Sequence, residues 1–381
     1  MRMPSYPHHL VFCAAGLFIV LSASLLDAAG PVKVFILAGQ SNMVGAGRVE
    51  GDPARNGGKG SLSYLAENDP KFKHLRKKSG DWVERDDVSV WFLERKGQLA
   101  PGFGSNAGTF GPELGFGHVV GEAFDEPVLL IKTAWGGKSL AKDFRPPCSG
   151  GEVGPFYTEM LTHVKEVLDN LKKEFPKFKE GYEIAGFGWH QGWNDGCDMG
   201  MCQEYEENLK NLIRDVRKAL GVEKLPFVIA DSGFGGAGET NERRLMIRAA
   251  QAAPPKSKEF KDNVICVQTE SLWRPAEESP SNQGYHWNSN AETYYLIGEG
   301  MGEAVLKLMG TGRPKEKSPP AVHLFRSADG SKTFKGRLQG YDPATRKVSV
   351  LRENGEIIKF DLQHLHQGDQ DFVTSGGKDA E

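Results

Sequence analysis

The chain has 381 residues, of which 39% are hydrophobic and 25% are charged. This composition is typical of a folded globular protein and excludes disorder for most of the chain. The 47 basic and 50 acidic side chains give a net charge of −3, and neither sign forms a long run. We therefore expect no nucleic-acid partner and no attraction to an anionic membrane.

The first 29 residues have the three-part layout of a signal peptide. Arg2, His8 and His9 precede an apolar run from Leu10 to Leu26, and a stretch of small residues follows. An apolar run of this length is at the lower limit for a helix that spans a bilayer. We interpret the segment as an export signal, cleaved near Ala29, so that the mature protein is periplasmic, at the cell surface or secreted and has no membrane span.

Four cysteines remain after this segment, and disulfides persist in the compartments that exported proteins reach. Cys197 and Cys202 flank a short loop that a disulfide could close, whereas Cys266 lies in an apolar run and is expected to be buried. Cys148 is the fourth, and the sequence does not choose among the pairings. No second close pair of Cys or His stands at ligand spacing, which argues against a zinc site.

Five continuous apolar runs, each bounded by turn residues, predict strands that are buried on both faces, as in a parallel sheet. They are Val32–Ala38, Pro127–Lys132, Ile184–Trp189, Pro226–Asp231 and Val264–Gln268. Helical spacing of apolar residues occupies the segments Gly115–Phe124, Tyr157–Phe175, Glu204–Leu220, Asn241–Ala253 and Ala291–Leu308. The alternation of strands and helices predicts one three-layer α/β/α domain over residues 30–309.

The segment Gly45–Gly111 interrupts this alternation, because it is rich in Gly, Asp, Lys and Arg. A loop this long inside a domain is usually functional or has a small structure of its own. We interpret it as a wall or lid over a functional site, or else as a decoration of the fold.

The composition changes again at residues 310–320, which have the Gly, Pro and Lys content of a linker. Short alternating runs follow, and Asp329-Gly330 and Asn354-Gly355 between them are strong hairpin signals. Residues 321–376 are therefore predicted to form a small β-barrel.

A candidate nucleophile follows the first predicted strand, in the sequence Gly39-Gln40-Ser41-Asn42-Met43. A side chain at the carboxyl end of a buried parallel strand faces the crevice in which open α/β sheets bind ligands. Met43 stands where a lipase-type nucleophile elbow has glycine, so that motif is absent. Without further motifs, Ser41 would be interpreted as an ordinary helix N-cap.

Strand-Gly39-Gln40-Ser41-Asn42 resembles the nucleophile block of SGNH hydrolases, in the variant found in sialate O-acetylesterase-like and acetylxylan-esterase-like carbohydrate esterases. Three further segments resemble the remaining blocks of that family and occur in the expected order: Ala134–Ser139, Trp189–Asp195 and Gly284–Asn288. The resemblance spans roughly residues 31–309. It implies a flavodoxin-like sheet and an esterase that acts on an acetylated carbohydrate through an acyl-enzyme.

The resemblance makes Ser41 the nucleophile and His286 the general base and then the general acid. It surrounds the oxyanion with the N–H groups of Ser41 and Gly137 and with the side-chain amide of Gln191, which stands where many SGNH enzymes carry asparagine. His190 is the rival base. Because it adjoins Gln191, we assign it to shaping the pocket.

The acid of the expected triad is missing from its usual place. Related enzymes carry an aspartate three residues before the histidine, where this chain has Gln283. An acid from elsewhere could orient His286, and the candidates are Glu270, Glu277, Glu278 and Asp195. A backbone or amide oxygen could also do so and leave a catalytic dyad.

Trp135, Trp189, Trp193 and Trp287 lie inside the four segments. Indole rings stack on the apolar faces of sugars, and they equally often pack beneath loops.

The tail resembles the small SH3-like barrel of the SLA1 homology domain 1 (SHD1) type. The matching segments are Arg326–Gly330, Phe334–Leu338, Val348–Val350, Asn354-Gly355 and Asp369–Val373. This resemblance implies a binding or tethering module, with a peptide or a glycan as its ligand.

Two other functions stay open at this point. The absent acid would fit a catalytically impaired carbohydrate-binding protein on the same fold. The scaffold would also suit a lipid or thioester acyl hydrolase, although no long apolar stretch near the segments would line an acyl channel. No phosphate-binding loop, cofactor lysine or metal-ligand cluster is visible in the sequence, so we predict no cofactor and no metal.

Overall fold

The structure is a computed structural model that describes residues 30–176, 178, 180–311, 323–342, 345–352 and 357–374. The predicted signal peptide, most of the predicted linker and the Asn354-Gly355 turn lie outside these residues.

In the described part of the chain, nine strands precede the tail. Five of them coincide with the predicted apolar runs, and the other four are shorter or more polar. The nine strands are β1 (Val32–Gly39), β2 (Gly47–Arg48), β3 (Arg85–Phe92), β4 (Arg95–Leu99), β5 (Thr109–Phe110), β6 (Val128–Ala134), β7 (Tyr182–His190), β8 (Phe227–Ala230) and β9 (Val264–Val267). Seven of these form one sheet in the order β4-β3-β6-β1-β7-β8-β9. Every neighbouring pair is parallel except β3 and β4. The predicted parallel sheet is confirmed.

The helices of this part are α1 (Ser41–Val44), α2 (Leu62–Asn68), α3 (Glu113–Ala123), α4 (Pro155–Asp169), α5 (Leu171–Glu174), α6 (Met199–Leu220), α7 (Glu242–Gln251) and α8 (Ala291–Met309). Side chains of β1 alternate between two cores. Phe35 and Leu37 pack with α3 and α8, whereas Val34 and Ile36 pack with α4, α6 and α7. Helices thus cover both faces, as predicted for three layers.

The segment Gly45–Gly111 is more than a loop. It contains α2 and the small β2–β5 pair, and it adds β3 and β4 to one edge of the main sheet. The sequence prediction missed β3 because its first three residues are charged, and the buried residues Val88, Ser89, Val90 and Phe92 come only after them. Charged residues at the start of a strand hide the apolar run that normally marks it.

The tail contains β10 (His323–Arg326), β11 (Thr333–Asp342), β12 (Lys347–Arg352), β13 (Ile357–Asp361) and α9 (Gln367–Thr374). The strands form an antiparallel sheet in sequence order, so β10 and β13 lie at its two edges. The buried carboxylate of Asp369 accepts hydrogen bonds from Arg326 N at 2.7 Å and His323 Nε2 at 2.9 Å, which fixes α9 to β10. Over the described part of the tail the sheet is open, and the predicted closed barrel is not shown.

Cys148, Cys197, Cys202 and Cys266 are all free thiols. The loop-closing disulfide considered for Cys197 and Cys202 is therefore not formed. The Cys197 Sγ donates instead to the carbonyl of Trp193, and Cys202 Sγ donates to the carbonyl of Asp195. Within the ranges given above, no helix has both the length and the apolar character that a membrane crossing requires.

Candidate active site

Ser41 lies at the carboxyl end of the central strand β1, as the first residue of α1. The chain turns there in a narrow space between β6 and β7. A Cβ atom on Gly39 would lie 2.1 Å from the carbonyl oxygen of His190, so only glycine allows this approach. The serine thus lies at the carboxyl ends of the parallel strands, with β6 on one side of β1 and β7 on the other. Open α/β sheets bind their ligands at this edge.

The two residues that flank Ser41 are buried, and their side chains hold other loops. Gln40 Oε1 accepts hydrogen bonds from the backbone N–H of Gly192 at 3.1 Å and of Asn194 at 3.3 Å. Asn42 Nδ2 donates to the carbonyl oxygen of Tyr285 at 3.0 Å. The segment after β7 and the segment of His286 are therefore both attached to the nucleophile's own turn.

His286 lies in an irregular turn, Gly284–Ser289, in which Trp287, Asn288 and Ser289 have φ between 51° and 58°. Such left-handed backbone is unfavourable for residues other than glycine and persists only where surrounding contacts hold it. The Trp287 ring is fully buried. Asn288 Nδ2 donates to the carbonyl oxygen of Arg274 at 3.0 Å. These anchors fix a strained turn that directs His286 into the cleft beside Ser41.

No carboxylate in the described part of the chain bonds to the His286 imidazole, and burial lowers its pKa below 6.5. Gln283 is exposed. Its backbone carbonyl oxygen accepts a hydrogen bond from the backbone N–H of His286 at 2.7 Å. Ser41 Oγ and the imidazole are not directly hydrogen-bonded, as is common before a substrate is bound.

The four candidate acids have other surroundings. Glu270 forms an ion pair with Arg248, and both Glu277 and Glu278 are exposed. Asp195 is buried and accepts the N–H groups of Leu140 and Ala141, each at 2.9 Å. Burial raises the pKa of Asp195 to about 6. Its contacts make it an anchor of the loop after β6, not a partner of His286.

Gln191 does not fit the oxyanion role expected from the sequence. Its two amide hydrogens are donated to the carbonyl of Lys138 at 3.0 Å and to Asp195 Oδ2 at 2.5 Å. Tyr205 donates its hydroxyl to Gln191 Oε1 at 2.9 Å. With every polar atom of a buried amide already paired, no donor remains for an oxyanion.

Asn194 lies three residues after Gln191 and, unlike Gln191, has a side-chain N–H that is free to donate a hydrogen bond. Its Nδ2 donates to the carbonyl oxygen of Gly137 at 2.7 Å, and the residue is only partly buried. One amide hydrogen is therefore left beside Gly137, whose φ of 68° favours glycine. Asn194 lies in the same segment, Trp189–Asp195, but the sequence prediction chose Gln191 as the amide donor.

His190 and two of the four tryptophans belong to the core. His190 is buried, and its Nδ1 lies 3.0 Å from the carbonyl oxygen of Ala230, so it cannot reach solvent or substrate as a base. Trp189 and Trp287 are fully buried. Trp135 lines the cleft, whereas Trp193 is partly buried against Phe234 and Tyr285.

The cleft around Ser41 and His286 has a volume of about 620 Å³. Much of its wall comes from the segment Gly45–Gly111, which supports the wall interpretation of that segment. Arg48 and Arg95 both line it, and none of the described lining residues is Asp or Glu. Arg95 donates to the carbonyl oxygens of Gly102 and Gly104, and neither arginine has a carboxylate partner in the described ranges.

A fully buried ion pair lies behind this wall. Lys132 Nζ contacts Glu113 Oε2 at 2.6 Å and also donates to the carbonyl oxygens of Val44 at 2.7 Å and Phe103 at 2.8 Å. Burial lowers the pKa of Lys132 to about 8. One side chain thus joins the end of α1, the wall and α3. The lysine at the end of an apolar run was the sequence signal for it.

A serine at the start of a short helix and a histidine on a turn lie together at the carboxyl edge of a covered parallel sheet, with amide donors beside them. This is the architecture of an SGNH-type hydrolase. In the ranges that the structure describes, no group of three or more His, Cys, Asp or Glu residues could hold a metal ion. The family model described as SASA, "Carbohydrate esterase, sialic acid-specific acetylesterase", matches residues 31–307. The chain belongs to this family of carbohydrate esterases.

The chain is also similar to individual proteins. A protein of Arabidopsis thaliana named "Probable carbohydrate esterase" is 26% identical over 246 residues, which is 64% of this chain and 81% of the relative. A solved Arabidopsis thaliana structure has a TM-score of 0.49 at 19% identity and covers 73% of this chain and 98% of its own. A carbohydrate acetylesterase from Xanthomonas citri has a TM-score of 0.45 at 14% identity, with coverages of 84% and 62%.

Proposed function

We propose that the protein is a serine esterase that removes O-acetyl groups from a carbohydrate through an acetyl-enzyme intermediate. The observation that carries the proposal is that Ser41 and His286 line one cleft, on two turns that hydrogen bonds of the buried Asn42 side chain connect. The family match supports a carbohydrate ester as the substrate.

In the first half of the reaction, Ser41 Oγ attacks the acetyl carbonyl carbon and His286 accepts the hydroxyl proton. The tetrahedral intermediate collapses, the bond to the sugar oxygen breaks, and His286 returns the proton to that oxygen. In the second half, His286 removes a proton from water, and the resulting hydroxide attacks the carbonyl carbon of acetyl-Ser41. The bond to Ser41 Oγ breaks, His286 returns the proton to that oxygen, and the acetic acid released ionises to acetate in solution.

The negative oxygen of each tetrahedral intermediate needs preorganised donors. We assign the N–H groups of Ser41 and Gly137 to this role, together with the free amide hydrogen of Asn194 in place of Gln191. Gln191 instead supports the site from behind, through Asp195 and the loop that carries Gly137.

The charge of the cleft points to an acidic sugar. Arg48 and Arg95 present two positive charges without a carboxylate among the described lining residues, and such a cleft attracts anions. A sialic or uronic acid that carries an O-acetyl group would place its carboxylate against these guanidinium groups.

Three further proposals come from the sequence alone. The first 29 residues direct export of the protein, and the tail is a binding or tethering module of the SHD1 type. Catalysis requires no cofactor. A catalytically impaired carbohydrate-binding protein is the alternative function, since no carboxylate among the described residues contacts the His286 imidazole.

The test compares the full-length protein with Ser41→Ala and His286→Ala on p-nitrophenyl acetate, O-acetylated sialic acid and acetylated xylan. We expect hydrolysis by the parent and a loss of at least about a thousandfold in both variants. Glycan binding without hydrolysis in the parent would support the binding-protein alternative. Hydrolysis that survives in both variants would refute the assigned mechanism.

A further inference from the structure

Tyr285 is an exposed aromatic residue next to the proposed base. Its side chain is 40% exposed, and its ring centroid lies 4.6 Å from that of His286. Large apolar rings are usually buried, so an exposed ring that touches a catalytic histidine calls for a partner from solution.

Further side chains support this ring from the protein side. Trp193 lies 5.2 Å from Tyr285 between ring centroids, with an interplanar angle of 38°, and Phe234 packs edge-on against Trp193. The Arg244 guanidinium lies 4.6 Å from the Trp193 ring centroid and is held by Glu239 at 2.6 Å. The result is an aromatic platform formed by Tyr285 and Trp193, with a fixed guanidinium at its edge.

The platform is separate from the cleft. The described residues that line the cleft include His286 but not Tyr285, Trp193 or Arg244. His286 therefore borders both surfaces, because it lines the cleft and its ring contacts Tyr285. A single sugar in the cleft would leave the platform empty, whereas a longer chain could occupy both surfaces.

On the basis of the proposed function, we propose that the platform of Tyr285 and Trp193 binds a second sugar ring, so that the enzyme acts on oligosaccharides or polysaccharides in preference to monosaccharides. The apolar face of a pyranose stacks on a flat aromatic ring. Arg244 can donate hydrogen bonds to hydroxyl or carboxylate oxygens at the rim of that sugar. A partner protein would need a larger apolar surface than these two rings offer.

Two pairs of substrates test the subsite: O-acetylated sialic acid with O-acetylated sialyllactose, and acetylated xylose with acetylated xylohexaose. The variants are Tyr285→Ala and, as a matched control, Tyr182→Ala. Tyr182 is 46% exposed at the first residue of β7, at the opposite end of that strand from His190. Tryptophan fluorescence can also measure binding of the same oligosaccharides to the Ser41→Ala protein, and this measurement does not depend on turnover.

In the pair that the enzyme accepts, we expect kcat/KM to favour the oligosaccharide, and Tyr285→Ala to remove about three- to tenfold of that advantage through KM. Tyr182→Ala should keep the full advantage. Equal rates on both members of each pair would overturn the subsite and leave the proposed function intact. If no substrate is hydrolysed, the proposed function fails, and the subsite then stands only if Tyr285→Ala weakens oligosaccharide binding to the Ser41→Ala protein.

Discussion

The side-chain amide of Asn42 donates a 3.0 Å hydrogen bond to the backbone carbonyl of Tyr285, and this bond joins the turn of Ser41 to the turn of His286. The other end of the same amide accepts the Tyr294 hydroxyl at 2.9 Å. The Asn42 side chain is buried, and so is its contact with Tyr294, whereas its contact with the Tyr285 carbonyl is partly buried. The nucleophile and the base, which are far apart in sequence, are thereby held to one another by a single side chain.

Replacing Asn42 by alanine should lower kcat by about 10- to 100-fold, because a displacement of His286 by a fraction of an ångström disturbs proton transfer. KM should change much less, since Asn42 is absent from the residues described around the cleft. Steady-state kinetics on p-nitrophenyl acetate measures both constants. Asn68→Ala is the control, because Asn68 makes one exposed amide contact at the end of α2. Equal kinetics in the Asn42→Ala variant and the parent would remove this positioning role.

The pH dependence of activity should reflect a base that has no carboxylate partner among the residues that the structure describes. Catalysis needs neutral His286, and burial lowers its pKa, so activity should persist below pH 6.5 and fall only as the pH drops through the lowered pKa. Gln283→Asp would place a negative charge near the imidazole and shift this acidic limb to higher pH. The measurement is kcat/KM against pH, with Gln283→Asn as the uncharged control.

An imidazole titration by NMR gives the same midpoint without turnover. A midpoint at or above 6.5 in the parent would mean that a carboxylate supports the His286 imidazole in solution.

Replacing Asn194 by alanine should mainly reduce activity, whereas replacing Gln191 by alanine should mainly reduce stability. Asn194→Ala removes a partly exposed donor, so we expect kcat to fall by about a hundred- to thousandfold with little change in stability. Gln191→Ala removes one buried hydrogen bond from Asp195 and one from Tyr205, so it should lower the free energy of unfolding by about 1–3 kcal/mol. Kinetics and urea unfolding separate the two effects. Normal kinetics in Asn194→Ala would exclude it as an oxyanion donor.

The sequence was sufficient for the sheet because strands buried on both faces are continuous apolar runs, and β1, β6 and β7 all have this pattern. It was insufficient for β3, whose first residues are charged and whose pairing with β6 depends on contacts distant in sequence. It was also insufficient for choosing between Gln191 and Asn194. The choice depends on the direction of each side-chain amide. In the folded chain, Asp195 and the carbonyl of Lys138 orient the Gln191 amide, and the carbonyl of Gly137 orients the Asn194 amide.

The charge of the cleft gives a test of substrate class. Arg48 is exposed, and it has no carboxylate partner in the described ranges, so Arg48→Gln should leave the fold intact. We expect KM for O-acetylated sialic acid to rise about tenfold, since one charge-assisted contact is lost, and KM for acetylated xylose to stay nearly constant. Arg55→Gln, on a residue outside the described cleft lining, is the charge-matched control. An equal rise for both substrates would argue against recognition of a carboxylate.

The buried pair of Lys132 and Glu113 should be the most sensitive charged site of the fold. Lys132→Met would leave the Glu113 carboxylate buried without its cation, and the free energy of unfolding should fall by about 3–5 kcal/mol. Lys33→Met is the matched control on β1. Its ion pair with Glu183 is partly exposed, so the loss there should stay below about 1 kcal/mol. Urea unfolding measures both values. Adding Glu113→Gln to Lys132→Met should recover part of the loss, because the unpaired charge is then gone. A loss in Lys132→Met no larger than in Lys33→Met would mean that the pair does not hold α1, the wall and α3 together.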